Sequence, residues 1–364
     1  MRVTLFARVN PALNPYILLY RRALVRQGIV ARLEREFGLK WLVTRGRSCE
    51  AIHLHWIEAA YKPARSNVRS NLVKRLADSR FITPLRAASR LADFSAALLL
   101  AKLEGKIIVY TVHNLEPHHE ESWPFGILNR LAHRIVLSLS DHIHAHNHYT
   151  RRTLETAYGR KDGVVVIPLG NYVGYYANQV SRLEARRQLG LPDDSFVYLS
   201  LGLVRPYKGL EELIGAFSEL ELPMGRLLIV GHAPSANYKE KILSLSRNTP
   251  TIEVVPEFVP DEAVQLYMNT CDICVLPYRN ITTSSAAMLA WSFGRPIVAP
   301  AITSFTELVT PQTGILYDPS QPNGLLLALQ QARQHPWSES EILDYVHQFD
   351  WDRLGPRLSD LYRI

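Results

Sequence analysis

The sequence predicts an α/β protein built from two doubly wound domains, and three observations lead to this fold class. The chain has 364 residues, more than one ordinary hydrophobic core accommodates. Short β-rich runs alternate with helix-length amphipathic stretches in both halves, which is typical of parallel sheets with helical crossovers. A content of 47% hydrophobic and 21% charged residues is ordinary for globular proteins and excludes a disordered or fibrous chain.

The predicted elements repeat from one half of the chain to the other. In the first half, strands are predicted at 3–7, 51–55, 106–112, 142–146 and 164–168. In the second half they are predicted at 196–203, 226–230, 251–256, 273–276, 296–300 and 314–317, with helices such as 210–219 and 261–269 between them. We therefore place one domain at 1–175, a second at 176–345, and a terminal helical segment at 346–364 in which Pro356 starts a separate helix.

Charge and cysteine content narrow the function classes. Lysine and arginine number 41 against 34 acidic residues, a net charge of +7 that favours an anionic partner. Three cysteines, of which Cys271 and Cys274 are interpreted as buried structural thiols, cannot form a disulfide framework, so we expect a reducing, cytoplasmic compartment. The apolar run at 3–7 is too short for a secretory signal, and we expect no transmembrane segment.

The segment 199–217, LSLGLVRPYKGLEELIGAF, has the pattern of an anion site. A strand is followed by Gly202, Arg205 and Lys208, and then by a helix that begins at Gly209. Two cations and a helix N-terminus would then lie at the carboxyl end of a strand, where an open α/β sheet binds anions. A diphosphate suits this set of donors. The alternative is a solvated turn with two surface cations.

Histidine is concentrated in the first half of the chain. Eight of the 13 histidines lie between 113 and 148, and His53 and His55 precede them. Alternation in HLH and HIHAHNH places the histidines of each strand on one face. One hypothesis is a metal site. We favour strand ends that line a ligand crevice, because no cysteine or aspartate pair completes a tetrahedral set. That arrangement would bring His55, His113 and His146 together.

Several segments of the second half resemble the family-4-like glycosyltransferases of the GT-B fold. These are GLVRPYKGLEELIGAF (202–217), LLIVGHA (227–233), FVPDEAVQLYMNTCDICVLPY (258–278), FGRPIVAP (293–300) and GILYDP (314–319). The resemblance implies two Rossmann-like domains that face a cleft, with acceptor binding in the first and donor binding in the second. In a two-domain α/β protein a C-terminal helix often docks back across the cleft, and we expect the terminal helix to cross back to the first domain. Arg205 and Lys208 would hold the donor diphosphate, beside Gly202 and Gly209. His232, in a turn after a strand, is a further candidate for donor contact, and the alternative is a simple loop residue.

One departure from the family pattern concerns its pair of glutamates eight positions apart, which stand as Ile281 and Leu289 here. The loop 281–288, ITTSSAAM, offers hydroxyls instead, and we predict that Thr283, Ser284 and Ser285 contact the donor. The alternative is an N-cap cluster. The resemblance also puts Glu307 beside the donor, although with Ser304 it has the spacing of a capping box.

The loop 281–288, with 14–20 (NPYILLY) and 113–120 (HNLEPHHE), is most similar to the bacterial GDP-mannose:glycolipid 4-β-mannosyltransferase type, an inverting group. An inverting transfer needs a general base. The candidates are His113, Glu116, His118 and Glu120, with His113 first because it lies closest to a strand end. Both glutamates can instead simply open a helix. The predicted acceptor-binding residues are Asn14, His55, Asn114 and His146.

The densest basic stretch lies at 62–90, where eight cations interleave with apolar residues. It resembles an amphipathic segment that binds an anionic membrane surface, and the alternative is a solvated helix face. Lipid-linked acceptors among the similar enzymes favour the membrane interpretation and a location at the inner face of the cell membrane.

The sequence therefore predicts a metal-independent glycosyltransferase that moves a sugar, mannose from GDP-mannose, to a lipid-linked or polysaccharide-precursor acceptor. The Asp350-Trp351-Asp352 sequence is interpreted as a surface feature and not as a metal site. Within the fold, the alternatives are a retaining enzyme that uses a UDP-sugar and a nucleotide-sugar epimerase. A basic nucleic-acid-binding protein is disfavoured because no nucleic-acid motif is present, and a histidine-rich metal-binding protein remains a third class.

Overall fold

A computed structural model describes residues 1–9, 14–62, 82–114 and 125–363. The chain divides into two compact units. The first comprises Met1–Pro168 and Trp351–Ile364, and the second comprises Leu169–Asp350.

The first unit contains a parallel sheet of six strands in the order β2-β1-β3-β4-β5-β6. The strands are β1 (Arg2–Phe6), β2 (Val30–Glu34), β3 (Ala51–His55), β4 (Ile107–Val112), β5 (His142–Ala145) and β6 (Val164–Val166). The helices are α1 (Tyr16–Arg26), α2 (Leu39–Thr44), α3 (Ile82–Leu103), α4 (Phe125–Leu139), α5 (His148–Tyr158) and, from the chain end, α14 (Trp351–Asp360).

Five of these strands are the predicted ones, and β2 was missed. Only Ala31 of β2 is buried, because β2 lies at the edge of the sheet. The strand therefore lacks the apolar run that identifies the others.

The terminal helix α14 contacts α1. Asp352 pairs with Arg26 of α1, and Arg357 Nη2 donates to the Val166 carbonyl at 2.6 Å. These contacts confirm the expectation that the C-terminal helix returns to the first half of the chain. The prediction that Pro356 starts a separate helix is wrong, since Pro356 lies inside α14, where it removes one backbone hydrogen bond without ending the helix.

The second unit also contains six parallel strands, in the order β12-β11-β10-β7-β8-β9. The strands are β7 (Phe196–Leu201), β8 (Gly225–Val230), β9 (Ile252–Val255), β10 (Ile273–Val275), β11 (Ile297–Pro300) and β12 (Gly314–Tyr317). The helices are α6 (Arg182–Gln188), α7 (Leu210–Ser218), α8 (Ala236–Ser246), α9 (Val264–Thr270), α10 (Ser285–Ser292), α11 (Phe305–Leu308), α12 (Gly324–Gln334) and α13 (Glu339–Val346).

Each sheet reverses its strand order once. The reversal falls between β1 and β3 in the first unit and between β7 and β10 in the second. Loops diverge at such a point, which leaves a crevice outside the carboxyl ends of the strands where doubly wound sheets bind ligands. The residues just beyond these four strands are therefore the first place to look for a site.

Candidate functional site

The carboxyl ends of β7 and β10 are held together by a glycine turn. Gly209 has a φ of 66° at the N-cap of α7. A Cβ on Gly209 would lie 2.0 Å from the Pro277 carbonyl oxygen, just beyond β10. Only glycine permits both the backbone angle and this close approach, so the turn that carries Lys208 lies directly against the segment after β10.

Lys208 sits in this contact with its ammonium group against Tyr278. Nζ donates to the Tyr278 hydroxyl at 2.6 Å and lies 3.9 Å from the centroid of that ring. Burial, followed by the positive charge of Arg205, lowers the pKa of Lys208 to about 7. Nε of Arg205 is buried and has no hydrogen-bond partner among the described residues. Two cations with unused donors at a strand-order reversal form a site suited to an anion.

The hydroxyl-rich loop after β10 meets the same tyrosine. Ser284 Oγ accepts from the Ala287 amide at 3.2 Å, so the N-cap interpretation of Ser284 is correct. Burial raises the pKa of Tyr278, and a hydrogen bond with Ser284 acts in the opposite direction. Thr283 is half-buried and Ser285 is exposed. Lys208, Tyr278 and Ser284 thus form one connected polar set.

A second loop, after β11, is tied to the first. Thr303 has a φ of 44°, rare for a β-branched residue, and its hydroxyl donates to the Ile281 carbonyl at 2.6 Å. Ser304 Oγ is buried without a partner among the described residues and makes no cap. The capping-box interpretation of Ser304 and Glu307 is therefore wrong, and Glu307 is exposed on α11.

The remaining predicted donor residues lie at the ends of β7 and β8. Gly202 is exposed directly after β7, and a Cβ there would be 3.6 Å from Lys208 Nζ. His232 is exposed after β8, and its carbonyl accepts from the Val204 amide at 3.0 Å.

In the first unit, five histidines form a compact cluster at the carboxyl ends of β3, β4 and β5. We refer to His53, His55, His113, His144 and His146 as the histidine cluster; each is at most 7% exposed. His53 stacks on His55 with ring centroids 4.2 Å apart, which confirms that they share a strand face. The centroids of His113 and His146 are 5.4 Å apart.

One side of the histidine cluster is a chain of hydrogen bonds. His53 bonds the Tyr362 hydroxyl at 2.6 Å and Thr111 Oγ1 at 2.7 Å. Thr111 Oγ1 in turn is 3.1 Å from His144 Nδ1, and His144 Nε2 donates to the Ile167 carbonyl at 2.8 Å. Burial lowers the pKa of all five histidines, that of His144 to about 4. The histidine cluster is therefore uncharged at neutral pH.

The other side of the cluster holds His113. Its Nε2 is 3.0 Å from His55 Nδ1, and its ring lies flat on Trp56 with centroids 3.8 Å apart and planes 5° apart. Nε2 of His55 and Nε2 of His146 are buried without hydrogen-bond partners in the described part of the chain. No group of three or more His, Cys, Asp or Glu side chains within that part could hold a metal ion, so its geometry does not support the metal-site alternative.

Two predicted acceptor residues have local roles in the structure. The Asn14 side chain accepts from the Tyr16 amide at 3.1 Å at the start of α1, and the Asn114 carbonyl is 3.3 Å from His133 Nε2. Three candidate bases, Glu116, His118 and Glu120, lie outside the described residues.

A small cavity, open to solvent, lies where the first sheet reverses its strand order. His55 and Trp56 line it after β3, Arg8 after β1 and Arg35 after β2, above an apolar floor that includes Phe6. The cavity thus borders the histidine cluster and offers both cationic and apolar surface.

Comparison with known proteins assigns the chain to a family. A model described as Glycosyltransferase Family 4 matches residues 44–170, and one described as Glycosyl transferases group 1 matches residues 181–343. Together they span most of the chain. The chain belongs to the family 4 glycosyltransferases. Enzymes of this family use nucleotide-sugar donors, as the donor motif at 199–217 predicts.

Individual relatives agree with this assignment. A GDP-mannose:glycolipid 4-beta-D-mannosyltransferase of Xanthomonas campestris pv. campestris is 27% identical over 315 residues, 84% of this chain and 77% of that protein. The fold matches sucrose-phosphate synthase from Thermosynechococcus elongatus, with a TM-score of 0.73, 19% identity and coverage of 100% and 98% of the two chains. It also matches Anabaena HepE in complex with UDP and glucose, with a TM-score of 0.70, 18% identity and coverage of 99% and 98%. The GT-B fold expectation is confirmed.

Sequence reasoning missed two residues of the glycosyltransferase that the geometry makes prominent. Tyr278 contacts Lys208, and Trp56 stacks on His113. Tyr278 comes shortly after β10 and Trp56 directly after β3, both beside a strand-order reversal. Doubly wound sheets bind ligands beyond the carboxyl ends of such strands, and this rule, which identified Lys208, could have identified both residues.

The basic stretch at 62–90 lies mostly outside the described residues, since only Lys62, Arg86 and Arg90 of its eight cations are described. Within the described part of the glycosyltransferase, no helix combines the length and the apolar character needed to cross a bilayer.

Proposed function

We propose that this glycosyltransferase moves mannose from GDP-mannose to a lipid-linked or polysaccharide-precursor acceptor, with inversion and without a metal ion. The observation that carries the proposal is the Lys208 and Arg205 pair at the reversal of the second sheet, in a chain that is similar over 84% of its length to a GDP-mannose-dependent enzyme. The cations stabilise the charge that develops on the leaving diphosphate, a role that a metal ion plays in other enzymes.

On the acceptor side, the histidine cluster supports an inverting transfer. His113 is neutral at pH 7 because burial lowers its pKa, and a neutral imidazole can accept the proton of the attacking hydroxyl. His55 and His146 surround it. The neighbouring cavity is lined by Arg8, Arg35 and Glu36 beside apolar side chains, and its two arginines offer contacts to an anionic group of the acceptor. The cations at 62–90 would hold the enzyme at the cytoplasmic face of a membrane.

A second candidate is retaining transfer from a UDP-sugar. It is favoured by the structural similarity to HepE, which was solved with UDP and glucose. In that case no general base is needed and His113 only binds the acceptor.

A donor panel with subsequent product analysis tests the proposal. GDP-mannose, UDP-glucose and other nucleotide sugars are compared by thermal shift, and the selected donor is incubated with prenyl-diphosphate-linked glycans. We expect selective stabilisation by GDP-mannose and a β-linked product in the presence of EDTA. An α-linked product from a UDP-sugar would favour the second candidate, and loss of activity with EDTA would contradict the metal-independent mechanism.

A further inference from the structure

The ring of His113 is held on three sides. Its Nε2 is 3.0 Å from His55 Nδ1, one face lies on the Trp56 indole, and Tyr16 meets it edge to face with centroids 5.1 Å apart. A side chain with these contacts has little rotational freedom. No hydrogen bond to its other nitrogen, Nδ1, is made by the described residues.

Trp56 occupies a costly backbone conformation. It comes directly after β3 with a φ of 51° and a ψ of 72°, and a bulky residue in this left-handed region is strained. Such strain persists where surrounding contacts enforce it, and it concentrates at functional sites. Here the strained residue is the one whose indole lies flat on the candidate base and lines the adjacent cavity.

The contact between His55 and His113 also restricts which nitrogen of His113 can take a proton. The two facing nitrogens share one hydrogen. When that hydrogen is on His113 Nε2, His113 donates to His55 and its Nδ1 carries a free lone pair. When it is on His55 Nδ1, neutral His113 must carry its hydrogen on Nδ1 and cannot act as a base there.

We propose that His55 and Trp56 are positioning residues that hold the His113 ring in the orientation in which Nδ1, in the tautomer with hydrogen on Nε2, accepts the acceptor's hydroxyl proton. This inference rests on the proposed inverting transfer. As the acceptor oxygen bonds to the anomeric carbon, the bond from that carbon to the diphosphate oxygen breaks and its electron pair leaves with the diphosphate. The hydroxyl proton moves to His113 Nδ1.

Burial and the neighbouring histidines lower the pKa of His113 and so disfavour the imidazolium that this step creates, and the two contacts offset part of that cost when His55 is neutral. The protonated ring donates a charge-assisted hydrogen bond from Nε2 to His55 Nδ1, and its positive charge lies over the indole face of Trp56. After product release, His113 returns its proton to solvent.

Substitutions at His55 separate its role as a hydrogen-bond acceptor for His113 from its role in packing. His55→Asn keeps an amide oxygen near the position of Nδ1, whereas His55→Leu fills the space without a hydrogen-bond acceptor. We expect His55→Leu to lower kcat about 100-fold, the loss typical of a misplaced catalytic group, with the donor KM within about twofold of wild type. His55→Asn should stay within about fivefold of wild-type kcat.

Trp56 supplies an independent pair of variants. Trp56→Phe retains an aromatic face and should lower kcat less than about threefold, whereas Trp56→Ala should lower it about tenfold, again without a change in the donor KM. His142→Asn is the matched control, because His142 is a histidine of β5 that lies outside the histidine cluster and contacts the Arg363 carbonyl. It should leave kcat unchanged.

The assay measures nucleotide release from the donor selected by the panel, with a prenyl-diphosphate-linked glycan and, separately, with water as the acceptor, since both reactions need the base. Wild-type kcat in His55→Leu, or equal losses in His55→Asn and His55→Leu, would overturn the role of His55. If His55→Leu does not fold, the Trp56 pair carries the test, and equal rates in Trp56→Phe and Trp56→Ala would overturn it. Full activity of His113→Ala would instead overturn the proposed base, and the positioning role with it.

Discussion

The carboxyl ends of the two sheets differ in the kind of polar group they collect. The first sheet gathers five histidines that burial keeps uncharged. The second gathers Arg205, Lys208 and a loop of hydroxyls, with donors left unused. The same architecture therefore provides two chemically different edges, one suited to handle a proton and the other suited to hold negative charge.

The difference arises from what the polar residues pack against. In the first unit three of the histidines lie within β3 and β5 and two directly follow β4 and β5, and all five lie against Tyr16 or Tyr20 of α1, out of contact with water. In the second unit they lie beyond the strand, on a turn that Gly209 holds against Pro277. The histidines packed against α1 are therefore buried and neutral, whereas the turn after β7 leaves a donor of Arg205 available for a ligand.

Removal of the candidate base is expected to have the largest effect and tests the role of the first sheet. His113→Ala should lower kcat by about 10²–10⁴-fold, the usual contribution of a positioned general base, while donor binding measured by calorimetry stays unchanged. His142→Ala, a half-buried histidine on β5 that contacts the Arg363 carbonyl, serves as the control. An unchanged rate in His113→Ala would remove His113 as the base and leave the histidine cluster a structural feature.

Removal of a cation tests the other edge. Lys208→Ala should lower kcat/KM for the donor about 10–150-fold, since a charge-assisted hydrogen bond contributes roughly 1.5–3 kcal/mol. Arg205→Ala should act similarly. Lys241→Ala, whose ammonium pairs with Glu211 on the surface of the same unit, should have no effect. Wild-type turnover in the Lys208 variant would refute the assignment of the diphosphate site.

The pKa of Lys208 makes a prediction about pH. Without donor that pKa is about 7, and a bound diphosphate favours the charged form. Donor affinity should therefore be constant below about pH 7 and fall by up to about tenfold per pH unit above it. Titration calorimetry between about pH 6 and pH 8.5 measures the fall. Lys208→Arg should abolish it, because arginine stays protonated, and a persistent slope in that variant would assign the titration to another group.

For the histidine cluster, we instead expect the stability of the first unit to depend on pH. The pKa of His144 is about 4 in the folded protein against an unfolded value near 6.5. The contribution of neutral His144 to the free energy of unfolding is therefore complete above about pH 6.5. As the pH falls toward 4, that contribution is lost at up to about 1.4 kcal/mol per pH unit. Hydrogen exchange at about pH 7 and pH 5 should show weakened protection of β3 and β5 at the lower pH, and His144→Asn should reduce the change. Equal weakening of β7 and β8 would show that the effect is not specific to the histidine cluster.

Many of the polar residues at the carboxyl ends of the two sheets can be predicted from the sequence, because they depend on local geometry. Glycine and cation spacing in 202–209 implies a strand, a tight turn and a helix N-terminus, all of which depend on local geometry. The alternation of His53 and His55 likewise fixes a shared face. In contrast, β2 was missed because an edge strand needs few apolar residues, and the Pro356 boundary was wrong because the contacts between α14 and α1 stabilise the helix across the proline.

The sequence by itself determined that this chain has two doubly wound α/β units and which strand ends carry histidines or cations, because periodicity and turn chemistry are encoded locally. Only the tertiary structure decided which of these residues meet. It set Lys208 against Tyr278, laid His113 on Trp56, gave the hydroxyl of Ser284 to a helix cap, and left Ser304 Oγ without a partner among the described residues. Those outcomes depend on contacts between segments far apart in the chain, whose distance and burial no local pattern specifies.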